Sequence, residues 1–221
     1  MVMKNRKKIL IISLTLLASF TCAAGTVTKG MKKVIDDALD FSVKQSMSMF
    51  YEMKDQKGIL PRTAENGKMI TCESAWWTSG FYPGTLWYCY EYSNDPQIRA
   101  AAEEMTSRVE KQKYTTSNHD VGFIINCSFG NGYRLTHNET YRKVIETAAK
   151  SLSTRFHPVT GCTRSWNSKK WQFSVIIDNM MNLELLNVAS SLTGDNTYYN
   201  MAKSHADRTM INHFRPDGSS Y

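Results

Sequence analysis

The chain counts 221 residues, 42% of them hydrophobic, and carries a formal charge of +7. Its length and apolar content suit one domain with an ample core. Four of the positive charges are Lys4, Arg6, Lys7 and Lys8; the +3 left without them excludes the basic stripe of a nucleic-acid binder, so no nucleic-acid partner is expected.

Residues 1–24 have the layout of a secretory signal. The basic head is followed by a short apolar run over 9–17 and by small residues, with Ala23 and Ala24 preceding Gly25. The run is too short to span a bilayer with these flanks, so no membrane span is expected. Cys22 offers a lipid-anchor alternative, but Ser19-Phe20-Thr21 fit a lipoprotein signal only loosely, and cleavage after Ala24 is the favoured reading. The expected destination is a bacterial periplasm or the outer-membrane surface. Beyond the leader, Cys72, Cys89, Cys127 and Cys162 show no metal-ligand spacing and no CxxC. The first three lie in apolar or aromatic surroundings and read as small buried residues ahead of disulfide partners.

Residues 26–53 carry apolar side chains at helical spacing, from Met31, Val34 and Ile35 to Met47 and Phe50. Residues 54–74 are polar, with Gly58, Pro61 and Gly67, and read as a loop with a short extended piece. Residues 73–95 read as a Gly-containing, Trp-rich turn running into an aromatic helix, and 96–113 as a charged amphipathic helix. Residues 121–135 are apolar and rich in small side chains, and 139–156 are amphipathic again. A polar loop over 157–174 holds Trp166 and Trp171, and a dense apolar helix pattern covers 175–192, read as buried around most of its circumference. A last helix covers 196–214.

This order contains a repeat. Three times an apolar helix ends in a short polar turn and a charged helix begins, at Ser93-Asn94-Asp95, Thr136-His137-Asn138 and Thr193-Gly194-Asp195. Five residues after each leading Ser or Thr stands Ile98, Tyr141 or Tyr198. Apolar helices alternating with charged ones are what an inner and an outer layer require. The fold class is therefore all-α, an α/α toroid, and a chain of about three and a half hairpins ending in the loop 217–221 is expected to be the first part of a longer ring.

In a toroid the loops entering the inner helices emerge at one end, so the chemistry should lie just before each apolar helix. That criterion collects Trp76 and Trp77, then His119 and Asp120, then Trp166 and Asp178, while Glu184 falls too far along its helix. Paired carboxylates with aromatic walls suit sugars: rings stack on Trp, and burial beside a second charge keeps one carboxyl protonated. Each residue also has a structural alternative. Asp178 stands where an N-cap would, and Asp120 follows Ser117 at capping-box spacing. His119 is equally a buried hydrogen-bonding group, at least one of Trp76 and Trp77 is expected in the core, and Trp87 and Tyr90 read as packing.

The runs WWTSGFYPGTLWYCYEYSND, NHDVGF, IIDNMMNLELL and HADRTMINHFRPDGSSY, which together span 76–221, resemble the unsaturated glucuronyl hydrolases of glycoside hydrolase family 88. The resemblance implies an (α/α)6 barrel, present here as its N-terminal portion over 25–221. It also implies a reaction, in which the C4–C5 double bond of the unsaturated uronic acid left by polysaccharide lyases is hydrated and the resulting hemiketal collapses to release the sugar. By motif, Asp178 matches the acid/base and Asp120 its partner aspartate; Trp77, Trp166 and His119 match positions around the sugar. The reaction so implied needs neither metal nor cofactor, and its substrate is an unsaturated oligosaccharide of glycosaminoglycan type. Two alternatives stand beside it: an unsaturated rhamnogalacturonyl hydrolase acting on pectin fragments, and a non-catalytic helical-repeat protein that binds glycans.

Overall fold

The computed structural model describes residues 27–221; the leader and Cys22 lie outside them. The chain divides into a unit ending at Ala38 and one comprising Leu39–Tyr221. Helix α1, Lys29–Met53, contributes residues to both. Up to Ala38 it is largely exposed and carries the ion pairs Lys32–Asp36 (2.6 Å) and Lys33–Asp37 (2.7 Å), each worth only a few tenths of a kcal/mol at such a surface. The apolar face predicted for this helix is buried only toward its end, where Met47, Phe50 and Met53 pack on Tyr82, Leu86 and Trp87; Met31, Val34 and Ile35 stand exposed.

Where the sequence suggested a loop with a short extended piece, Leu39–Tyr221 contains an antiparallel hairpin, β1 (Ile59–Glu65) with β2 (Lys68–Glu73). Asn66 and Gly67 turn it with φ of 50° and 72°, the paired left-handed conformation that an Asn-Gly hairpin turn supplies. Leu60 pairs with Cys72 and drives the hairpin's buried side chain into the core.

Three helical hairpins follow. The first is α2 (Phe81–Ser93) with α3 (Pro96–Ser107). The second has a composite first arm, in which α4 (Val121–Ile125) and α5 (Asn131–Thr136) are joined by a π turn over Asn126–Gly130, and its second arm is α6 (Glu139–Ser153). Its two arms lead through the small ribbon β3 (Phe156–His157) and β4 (Cys162–Thr163) to the third hairpin. There α7 (Asn179–Asn182) and α8 (Glu184–Thr193) are followed by α9 (Asn196–His213). First arms pack on one another and second arms lie outside them, giving the two helix layers that the repeat required. Leu60, Ile124, Ile125, Phe129, Ile145, Leu152, Leu185 and Leu186 are among the fully buried residues of the core between the layers.

One device makes all three turns. The first arm ends in a left-handed residue, Asn94 (φ 53°), His137 (φ 52°) or Gly194 (φ 74°). The next residue, Asp95, Asn138 or Asp195, caps the second arm by accepting the backbone N–H of Gln97 (2.8 Å), Thr140 (2.9 Å) or Thr197 (2.8 Å). The leading hydroxyl of Ser93, Thr136 or Thr193 accepts the cap residue's own N–H at 3.1–3.3 Å. Ile98 and Tyr198 are buried below the turns, and Tyr141 is half-buried.

The apolar segment that the sequence assigned to one helix from Val175 departs from that reading. Its helix starts at Asn179, because the Ile176 N–H is already held by Ser165 Oγ (3.1 Å) and Asn179 Oδ1 (3.2 Å). Nor is it buried around most of its circumference. Leu183, Leu185, Leu186 and Ala189 are covered by α4, α6 and α9, whereas Met181, Glu184 and Asn187 face outward. Among the described residues no helix is long and apolar enough to cross a membrane, and the four cysteines beyond the leader are unpaired.

Candidate active site

The loop before α4 is held from three sides. Asn118 Oδ1 accepts the Asp120 N–H (3.0 Å), Ser165 O accepts the His119 N–H (2.8 Å), and Asn118 bridges Trp166 as an isolated antiparallel pair. Beneath it lies the buried guanidinium of Arg155, which donates to the carbonyls of Thr116 (2.5 Å) and Arg164 (2.8 Å). One cation therefore ties the strand carrying His119 and Asp120 to the strand carrying Trp166.

The loop before α7 is fixed with equal economy of parts. Asn179, fully buried, accepts the Ser165 hydroxyl at Oδ1 (2.5 Å) and donates from Nδ2 to Thr163 O (3.1 Å). The Thr163 N–H in turn reaches His205 Nδ1 (2.9 Å) on α9. Burial lowers His205 to a pKa of about 4, so it is the neutral acceptor that this bond requires.

These supports bring Asp120 and Asp178 together. His119 Nε2 lies 3.4 Å from Asp120 Oδ1 and 3.8 Å from Asp178 Oδ2, and the nitrogen and the two carboxyl oxygens all fall within 4.8 Å of one another. Both aspartates occupy N-cap positions, Asp120 for α4 and Asp178 for α7, yet neither side chain accepts a capping hydrogen bond. The capping alternative is thus not realised by either carboxyl. Asp178 Oδ1 is shielded from solvent and without a partner, although its side chain as a whole keeps 36% of its surface and that of Asp120 keeps 22%.

The electrostatics follow from this placement. Burial, then the charge of Asp178, pushes Asp120 up to about 6, against the pull of Arg155. Burial also raises Asp178. Two like charges this close cannot both ionise freely, so the pair titrates as a unit and holds a proton well above the usual carboxylate range. His119 is 1% exposed, and burial, helped by the charge of Arg155, lowers it to about 4. Its imidazole is therefore neutral. Nδ1 has no partner; placing the single proton on Nε2 avoids an orphaned buried donor and aims the N–H at the carboxyls. The trio's three donor atoms are as many as a catalytic zinc takes from its protein, but carboxyls raised toward neutrality suit proton traffic.

Aromatic walls flank the acids. Trp166 is 39% exposed and meets the His119 ring edge-on with centroids 6.1 Å apart. Trp77 is 43% exposed and contacts Phe81 (5.8 Å) and Phe123 (6.1 Å), the latter on α4 just after Asp120. Trp76 is also open to solvent, with Arg62 stacked over it at 4.0 Å, so neither tryptophan of the pair is in the core. Trp87 is core, its Nε1 donating to Thr106 Oγ1 (2.9 Å). Glu184 faces away from the mouth and accepts from Asn126 Nδ2 (3.3 Å).

Sequence reasoning did not single out Arg155, Ser165, Asn179 or Asn182. The asparagines carried a signal. Each is an amide within an apolar helical segment, and a buried amide must find partners. Nothing local in the sequence marks Arg155, whose partners lie nine and 39 residues away.

No family model matches the chain. The unsaturated glucuronyl hydrolase of Formosa agariphila is 46% identical over 148 residues, which cover 66% of this chain and 37% of that protein. The unsaturated chondroitin disaccharide hydrolase of Streptococcus pyogenes is 33% identical over 194 residues, covering 85% and 48%. The crystal structure of an unsaturated glucuronyl hydrolase specific for heparin superposes with a TM-score of 0.77 at 41% identity, covering 84% of this chain and 51% of that one. These likenesses carry the α/α-barrel fold class expected from the sequence. The chain spans about half the length of the relatives it matches, or less.

Proposed function

We propose, since this chain belongs to the unsaturated glucuronyl hydrolases, that the protein of which it is part removes the 4,5-unsaturated uronic acid from the non-reducing end of lyase-generated oligosaccharides. The observation that carries the proposal is the partly buried pair Asp120 and Asp178, with carboxyl oxygens within 4.8 Å beside a neutral histidine. A vinyl ether is protonated at C4, and the cation left at C5 is shared with the ring oxygen. Carbon protonation is slow with ordinary acids and calls for a carboxylic acid that keeps its proton near neutrality.

In this reading Asp178 delivers that proton to C4 and, once ionised, takes one from the water that adds at C5. The hemiketal so formed opens to a ketone at C5 and a hemiacetal at C1, which expels the aglycone alcohol. Asp120 keeps the proton affinity of the pair high, and its charge steadies the cation. The Nε2–H of His119 holds the carboxyls in place, and Trp77 and Trp166 offer faces for stacking on sugar rings. Glycosaminoglycan fragments are the favoured substrates, because relatives bear the names of heparin and chondroitin substrates. The leader-like residues 1–24 support export, to a compartment where such fragments arise.

The test is loss of the ultraviolet absorbance of a lyase-generated disaccharide on incubation with the full-length protein. Asp178→Asn is expected to slow turnover by about 10²–10⁴-fold with unchanged helical circular dichroism. Unchanged turnover in that variant overturns the assignment. Faster turnover of pectin-derived than of glycosaminoglycan-derived fragments would move the substrate to the rhamnogalacturonan class.

A further inference from the structure

An aspartate at the start of a helix ordinarily turns back and accepts a first-turn amide, which would point Asp120 away from the cleft. In α4 the amide concerned is that of Phe123, the third helical residue. It donates instead to Asn182 Oδ1 on the neighbouring inner helix, at 2.8 Å. The same Asn182 donates from Nδ2 to the Asp178 carbonyl (3.3 Å). Only one orientation of the amide satisfies both partners, oxygen toward the N–H and nitrogen toward the C=O. The side chain is 1% exposed.

The contact needs a glycine opposite. A Cβ on Gly122 would lie 2.6 Å from Asn182 Cα and 2.7 Å from its Oδ1, so only glycine lets the asparagine reach across. We infer that Asn182 is a positioning residue that caps α4 in place of Asp120 and thereby frees the Asp120 carboxyl to face Asp178. The helix receives its cap from a neighbour, and the residue at its own cap position is released for chemistry.

The inference rests on the reading of Asp120 and Asp178 as a proton-handling pair, but it can be tested without turnover. With Asn182→Ala the Phe123 N–H loses its acceptor, and the Asp120 carboxylate, at the N-cap position, is the residue placed to replace it. A carboxylate bonded to a helix N-terminal amide holds its proton less tightly. The titration midpoint of Asp120, followed by carboxyl carbon NMR in full-length protein labelled at aspartate and assigned through Asp120→Asn, is then expected to fall from about 6 toward the ordinary aspartate value of 3.8. The alkaline limb of the pH–rate profile should fall with it, and kcat should drop by about 10–100-fold with a smaller change in KM.

Asn182→Asp keeps an acceptor for Phe123 and adds a negative charge beside the pair, so its Asp120 midpoint is expected to hold or rise. Opposite responses of the two variants support the substitute cap. An unmoved midpoint in Asn182→Ala, or a fall of the same size in both, overturns it. Should the alanine variant fail to fold, the Phe123 amide in Asn182→Asp decides: its nitrogen shift must titrate with the introduced carboxylate, and an amide indifferent to that carboxylate rejects the cap. If the wild-type protein turns over no unsaturated disaccharide while the midpoints move as expected, the proposed function fails and the cap stands.

Discussion

Asp120 is held in a state that folding disfavours. Its carboxyl rises from 3.8 to about 6 through burial and the charge of Asp178, so the folded protein binds this proton more tightly than the unfolded chain does. For a carboxyl raised in this way, the associated stability is present below pH 4 and is lost as pH climbs through 6. Asp120→Asn removes the charge without changing the volume. Above pH 6 it should stabilise the full-length protein by at most about 3 kcal/mol, the equivalent of the shift at about 1.4 kcal/mol per unit. The checking measurement is Tm by circular dichroism: a rise at about pH 7, little change at about pH 4, and turnover lost at both. An equal rise at both pH values would show that proton linkage is not the cause. At this scale the sequence revealed which carboxyls to suspect, because Asp120 and Asp178 both precede apolar helical segments. It did not reveal that Asn182 takes up the amide Asp120 would cap, since Asn182 and Phe123 are 59 residues apart.

The elements were legible because each hairpin turn repeats the same local chemistry. A left-handed residue, a capping side chain and a leading hydroxyl are short-range features, and the sequence displays them at all three turns. Asn138→Ala removes one cap and should cost about 1 kcal/mol in chemical denaturation of the full-length protein. His137→Gly at the adjoining residue should act in the opposite sense. A non-glycine side chain at φ 52° is strained, and relief is expected to return roughly 0.5–1 kcal/mol. No change in either variant would mean that the turn contributes nothing to hairpin stability. Less legible were the π turn at Asn126–Gly130 and the late start of the helix at Asn179. The late start depends on Ser165 from another segment, and a single π turn leaves too small a phase shift for periodicity to report. The Asn66-Gly67 hairpin is a different case: its turn signal was present, but the polar strands around it masked the alternation.

At the scale of the hairpin stack, neighbouring inner helices make backbone-close contacts at glycines. Gly80 lies against the Ile124 backbone, Gly84 against that of Cys127, and Gly122, two residues after Asp120, against that of Asn182. Elsewhere α2, the π turn, α5 and α8 line an open cleft of about 610 Å³, with Tyr88, Tyr133, Arg134, Glu184 and Asn187 among its residues. The stack is therefore tight at the glycine contacts and looser along this cleft. Backbone seated on backbone has no slack, whereas tyrosine and arginine side chains can rearrange. Thermal breathing should accordingly concentrate along the cleft. Hydrogen exchange of the full-length protein is expected to be faster over 131–136 than over 122–125, and the reverse order would contradict this picture. Glycine is then the pin of a hinge: the stack can flex along its cleft while the gap between two carboxyls hardly changes.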